Sequence, residues 1–316
     1  MKTQTTRRDF LNGLALSLGA VGSCFLPSLS HATAASLPSI KFPSEPRQRI
    51  SVSSYPFREF IAGDRHKSGN PTIDLKDFAA HVVERFNVNK IEPWTHHFPS
   101  TDPKYLEEFR NAVEKAGAAI ANLAVDGTDS AYAADRDERE RAIAYSRKWI
   151  DVAVALGSPS VRKNIARAKD SKPDVKRLAE SLRRVAEYAS TRNVVVHLEN
   201  DDLVSEDPFF LVQVIKKVNS PWLRALPDFG NTLDGHEENY AYRAVDAMFA
   251  YSYAICHVKD SIGGDQGKVT HVDLARTFEI LRHHSYKGYC SIEYDAPGDP
   301  YKPTAMLVDT IVKYLS

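Results

Sequence analysis

Four short stretches of this chain, HLEND, LPDFGN, CHVKD and CSIEYD, each carry an apolar run into a group that is costly to bury. The groups are Glu199, Asp228, His257 and Glu293. Side chains alternate along a strand, so Glu199 shares a face with His197, His257 with Lys259, and Glu293 with Ser291 and Asp295. If the four runs are neighbouring strands, three carboxylates and one imidazole meet in one partly dry space. Like-charge repulsion would push their pKa values up or push the groups apart unless a cation compensates them. A divalent ion does so. Three oxygens and one nitrogen with no thiolate suit Mn²⁺ first, with Mg²⁺, Co²⁺ or Zn²⁺ as alternatives.

Elements with the right spacing are present. Strand-like runs begin at Arg49, Asn89, Ala118, Pro159, Asn193, Trp222, Tyr253 and Gly288, roughly thirty residues apart. Amphipathic segments separate them, as in DLKDFAAHVVERF from Asp74 and DVKRLAESLRRVAEYAS from Asp174, with apolar residues at the helical period. Asp102-Pro103 and Asp207-Pro208 read as helix starts. Strands alternating with helices predict a parallel sheet, and the count and spacing predict a single α/β (β/α)8 TIM barrel over residues 49–316. The stretch PFREFIAGDRHKSG after Tyr55 carries no GxGxxG turn, which argues against a doubly wound nucleotide-binding sheet. In a barrel the C-terminal strand ends form the active site. Other strand-end groups then become candidates for holding substrate: Arg162, Glu92, Trp94, Tyr55, Lys259 and His197.

The strand ends resemble the metal site of the xylose isomerase-like barrel superfamily, nearest its sugar-phosphate isomerase/epimerase branch. SVSSYPFRE, KIEPW, NLAVD and LGSPSVRKN extend the likeness over most of the chain after Arg49. The resemblance implies the metal ligands Glu199, Asp228, His257 and Glu293, with Glu199 and Glu293 also moving the substrate proton. It implies a metal-dependent isomerase or epimerase acting on a keto-sugar or sugar derivative through proton abstraction beside the carbonyl. Two departures stand out. The ketose epimerases carry a histidine where this chain has Asn231, and DSIGGDQGK after Lys259 has no counterpart of their arginine. Sugar clamping therefore differs, with Asn231 as a candidate contact. Two alternatives follow: cleavage of a 3-keto-glycoside or C-glycoside by β-elimination at the same site, and a non-catalytic sugar-binding barrel.

The first residues serve a different purpose. Arg7 and Arg8 precede an apolar run that reaches about Leu29, followed by Ala32-Thr33-Ala34, a small-x-small cleavage pattern. The string from Thr6 to Leu11 resembles a twin-arginine export signal, which implies passage through that translocase and a periplasmic or extracytoplasmic destination. Residues 1–34 are expected as the signal and 35–48 as a linker. The run is too short and too diluted by Gly and Ser for a permanent span, and a lipid anchor at Cys24 is disfavoured because Phe25 and Leu26 continue the apolar run. Cys256 and Cys290 lie inside apolar runs and are expected as buried free thiols. The chain balances 41 basic against 41 acidic residues, so no nucleic-acid partner held by bulk charge is expected. The expected partner is a small carbohydrate.

Overall fold

The computed structural model describes residues 37–63, 72–263 and 268–316. The signal expected at 1–34 and Cys24 lie outside these residues. Among the described residues no helix is long and apolar enough to cross a membrane.

Every run expected as a strand contains one. They are β1 (Ile50–Ser53), β2 (Lys90–Glu92), β3 (Ala119–Ile120), β4 (Leu123–Val125), β5 (Ser160–Lys163), β6 (Val195–Glu199), β7 (Leu223–Leu226) and β8 (Ile255–Val258), with β11 (Tyr289–Ile292) last in the chain. Between them run α1 (Phe78–Phe86), α2 (Pro103–Lys115), α3 (Arg136–Leu156), α4 (Val175–Arg192), α5 (Pro208–Val218), α6 (Glu238–Phe249) and α7 (Leu274–His283), and α8 (Tyr301–Leu315) closes the chain. The paired strands are parallel, in the orders β3-β2-β1-β11-β8 and β4-β5-β6-β7. Single bridges join the two arcs, Trp94 to Ala124 on one side and Asp228 to His257 on the other. The result is a (β/α)8 barrel.

The third run departs from expectation by breaking into β3 and β4. The break lies at Asn122, whose amide is used as a side-chain bracket. Its Nδ2 donates to Glu92 Oε1 at 2.7 Å, and its Oδ1 accepts from Ser160 Oγ at 2.6 Å. A second departure follows β8. The stretch after Lys259, outside the eight expected strand runs, contributes an antiparallel pair of β9 (Ser261–Gly263) and β10 (Val269–His271).

Local chemistry sets the element ends. Asp207 caps α5 by accepting from Phe210 N at 2.8 Å, while Asp102 stands at the start of α2 without a side-chain cap bond. Asn87, Asn193 and Asn219 end α1, α4 and α5 in the left-handed region, a conformation that asparagine tolerates. Val195, Val196 and Leu198 are fully buried, each contributing about 1.5–3 kcal/mol by area. Within residues 35–48, expected as a linker, Pro38 and Phe42 contact the barrel's base. Tyr253 Oη donates to Pro38 O at 3.0 Å, and Phe42 packs edge-on against Tyr253 and Tyr289. Cys256 and Cys290 are buried free thiols on paired strands, 3.8 Å apart at sulfur.

Candidate metal centre and active site

At the opposite end, β6, β7, β8 and β11 bring Glu199, Asp228, His257 and Glu293 together, with one ligand-capable atom from each within 4.8 Å of all the others. All four are buried. His257 Nδ1 faces the carboxylates, 2.6 Å from Glu199 Oε1, 3.2 Å from Glu293 Oε2 and 3.9 Å from Asp228 Oδ2. The other ring nitrogen, Nε2, lies 3.0 Å from Glu92 Oε2. A carboxylate behind the imidazole fixes ring orientation, so that a metal ion replacing the Nδ1 proton would find that nitrogen's lone pair aimed at the cluster. Glu92 is itself held by Asn122, which explains the broken strand.

Asp228 is positioned by the turn that follows β7. Its Oδ1 accepts from the backbone of Gly230 at 2.8 Å and Asn231 at 2.6 Å, while Asn200 brackets its main chain from β6. Gly230 is required here, because a Cβ would lie 2.9 Å from Lys259 Cδ and 2.8 Å from Ile262 Cγ2. The freed space admits Lys259, whose Nζ sits 3.1 Å from both Asp228 Oδ2 and Glu293 Oε2 and donates to Asn231 Oδ1 at 2.9 Å. Arg162 closes the other side, with Nε 2.8 Å from Glu199 Oε2 in a charge contact whose N–H direction misses hydrogen-bond geometry.

The electrostatics follow from this crowding. Burial pushes Asp228 up to about 6, opposed by Lys259 and assisted by Glu199 and Glu293. Burial works against the charge of Glu293 too, but His257 and Lys259 outweigh it and hold that carboxyl well below the usual range. The same carboxylates overcome burial to hold His257 and Lys259 well above their ordinary values. The donor set fits a divalent ion. Glu199 Oε2 and Asp228 Oδ2 are buried acceptors that meet Arg162 and Lys259 as charge contacts without hydrogen-bond geometry, and three oxygens with one imidazole nitrogen match a hard or borderline cation.

A cavity of about 60 Å³ opens onto the cluster, lined by Tyr55, Trp94, Arg162, Asn231 and Lys259 together with Glu199 and Glu293. Two residues read from the strands as substrate contacts do not line it. Glu92 stands behind the His257 ring. His197 lies deeper in the barrel, where its Nε2 accepts from Ala254 N at 3.3 Å and burial, then Arg224, pushes it down to about 3. Its place two residues back along β6 puts it a layer below the mouth. Three lining carboxylates were not singled out as substrate contacts: Asp126, Asp201 and Asp295. Asp126 ends the third strand run, so strand-end reasoning could have reached it. It pairs with Arg162 through a short contact and accepts from Trp94 Nε1 at 2.6 Å. Arg58 stacks 4.3 Å above the Tyr55 ring and pairs with Asp295 at 3.2 Å.

The sequence pattern of the xylose isomerase-like TIM barrel family matches residues 75–311. Comparison with curated proteins finds no match. Among solved structures, D-allulose 3-epimerase from Methylomonas sp. superposes with a TM-score of 0.67 at 16% identity, covering 87% of this chain and 100% of that one. A xylose isomerase-like TIM barrel protein from Mycobacterium smegmatis in complex with magnesium gives 0.65 at 19%, covering 84% and 96%. The 3-keto-D-glucoside 4-epimerase from E. coli gives 0.61 at 15%, covering 84% and 99%. At these identities the likeness carries the fold.

Proposed function

Because the chain belongs to the xylose isomerase-like TIM barrel family, we propose that it is a divalent-metal-dependent enzyme of the sugar isomerase/epimerase kind. It moves a proton on the carbon beside the carbonyl of a keto-sugar or sugar derivative. The observation that carries this reading is the pair Glu199 and Glu293, which approach the same imidazole nitrogen from two strands, at 2.6 and 3.2 Å. Glu199, Asp228, His257 and Glu293 would hold a divalent ion, which would supply Lewis-acid polarisation of the substrate carbonyl.

The remaining work belongs to the chain. One glutamate takes the proton and the other returns it, and positioned acid–base groups contribute typically about 10²–10⁴-fold. Lys259 and Arg162 place fixed positive charge where negative charge develops on the substrate oxygens. Asn231 reaches Glu199 Oε1 at 3.5 Å and Asp201 Oδ1 at 3.4 Å, a neutral donor in place of a histidine. Trp94 and Tyr55, edge-on at 5.1 Å, form an aromatic wall of the kind that packs against a sugar ring. Mn²⁺ is the proposed ion, with Mg²⁺, Co²⁺ and Zn²⁺ to be compared.

Export is proposed from the sequence. Residues 1–34 act as a twin-arginine-type signal, so the substrate is met outside the cytoplasm and is a free or oxidised sugar rather than a sugar phosphate. The enzyme reading is tested by incubating metal-loaded protein with a panel of keto-sugars in D₂O. Deuterium incorporation at the carbon beside the carbonyl, abolished in Glu293→Gln, is the expected result. A metal-loaded chain that binds sugar and exchanges no proton would instead be a binding protein.

A further inference from the structure

Two fixed cations border the proposed ion site, and they are balanced differently. Lys259 Nζ stands 3.1 Å from both Asp228 Oδ2 and Glu293 Oε2, and its further contact, Asn231 Oδ1 at 2.9 Å, is neutral. Arg162 stands between two carboxylates. Its Nε lies 2.8 Å from Glu199 Oε2, and its Nη1 meets Asp126 Oδ1 in a short contact. Asp126 is not one of the four ligand candidates. Burial works against the Arg162 charge, but Asp126, ahead of Glu199, outweighs it and holds the guanidinium well above its ordinary value. The Arg162 side chain is 6% exposed, so water and salt screen its charge weakly.

Asp126 is locked in place by its neighbours. Its backbone N donates to Thr95 Oγ1 at 3.1 Å, and its carbonyl accepts from Tyr145 Oη on α3 at 2.8 Å. Its Oδ2 accepts from Trp94 Nε1 at 2.6 Å, which turns Oδ1 onto Arg162. This arrangement bears on the ion. A guanidinium and a divalent ion that share the Glu199 carboxylate repel each other, and in a dry site that repulsion is strong. Two fixed cations set against three ligand carboxylates leave a weak net pull on a second positive charge. A fourth carboxylate, placed on another edge of the guanidinium, restores the pull and competes with Glu199 for Arg162.

We infer that Asp126 is a positioning residue of the metal centre. It holds Arg162 and offsets its charge, so that Glu199 stays available to a divalent ion while the guanidinium stays beside the central cavity. This rests on the metal-centre reading. Asp126 acts on the ion through Arg162 and is not itself a ligand. Removing the Arg162 charge therefore removes the need for Asp126.

The test is a double-mutant cycle read by ion affinity rather than by turnover. Mn²⁺ binding is measured by competitive chelator titration on the full chain, on Asp126→Asn, on Arg162→Gln and on the protein carrying both substitutions. Asp126→Asn removes the charge and keeps an acceptor for Trp94. It is expected to weaken Mn²⁺ binding by about tenfold or more. Arg162→Gln leaves the Asp126 charge unanswered and is expected to tighten binding by a factor of about ten. With both substitutions the affinity should return close to that of the unmodified chain, a rescue that lost shape alone would not give. A loss that persists in the double variant shows that Asp126 acts on the ion directly or through shape, and overturns the inference. Asp126→Asn binding Mn²⁺ as tightly as the unmodified chain overturns it too. If Asp126→Asn does not fold, Arg162→Gln decides alone, and unchanged or weaker binding there is contrary to the inference. An unmodified chain that takes up no Mn²⁺ overturns the metal-centre reading itself, and the inference with it.

Discussion

The two ends of this barrel are built from the same strands and obey opposite rules. At the base, charged groups are few and are answered by neutral ones. Arg49, 8% exposed, spends its guanidinium on the carbonyls of Tyr286 and Gly288, and Phe42 seals the end against Tyr253 and Tyr289. At the mouth, charge is packed against charge. Glu92, Glu199, Asp228 and Glu293 crowd His257, Lys259 and Arg162 with little access to water. Such clusters are poor sources of stability, because desolvation offsets most of the Coulomb gain. The contrast teaches that stability is gathered where the strands begin and chemistry where they end, as barrel architecture allows.

The sharpest way to break this comparison is at the mouth. Glu199→Gln keeps the shape and removes the proposed proton carrier and the proposed ligand together. Activity on a keto-sugar is expected to fall by about 10²–10⁴-fold, while thermal unfolding of the metal-free protein changes little by comparison. Glu92→Gln acts one step back, because it weakens the hold on His257 Nε2 without touching the substrate. Metal affinity is expected to drop by about 10–100-fold, read by competitive chelator titration, with the cavity side of the cluster intact.

Lys163 offers a test through pH. Its folded pKa of about 8 lies below its unfolded value, so between pH 8 and about 10.5 the unfolded chain holds the proton that the folded chain has lost. Stability carried by this group therefore rises with pH across that window and is lowest below pH 8. Lys163→Met removes the dependence. The difference in unfolding free energy between the two proteins should shift in favour of the unmodified chain by up to about 3 kcal/mol from pH 8 to 10.5. A flat difference would show that the amine is not held in a dry site. The smallest effect belongs to the base. Phe42→Ala is expected to cost about 1–2 kcal/mol of stability, measured by denaturant unfolding, with turnover and metal affinity unchanged.

The proposed ligands were legible because each one terminates an apolar run, and a strand that ends in a carboxylate or imidazole announces itself. The alternation rule also placed Lys259 and Asp295 on the cavity side, where both are found. It could not tell depth. His197 obeys the same rule as Glu199 and ends up one layer below it. Asn122 was hidden because an amide inside an apolar run resembles any other interruption, and its use depends on Glu92 and Ser160 from two other strands. The antiparallel pair of β9 and β10 was hidden because its two three-residue segments carry no apolar run long enough to stand out.

The central claim, that the mouth cluster is a metal centre, is tested most directly by counting ions. The protein is purified without chelators and its metal content measured by mass spectrometry beside Asp228→Asn, a variant that removes one ligand charge and keeps the turn. About one equivalent of a divalent ion per chain, lost on the substitution, is the result this account predicts. A chain that carries none and takes up none on titration with Mn²⁺, Mg²⁺, Co²⁺ or Zn²⁺ would contradict it.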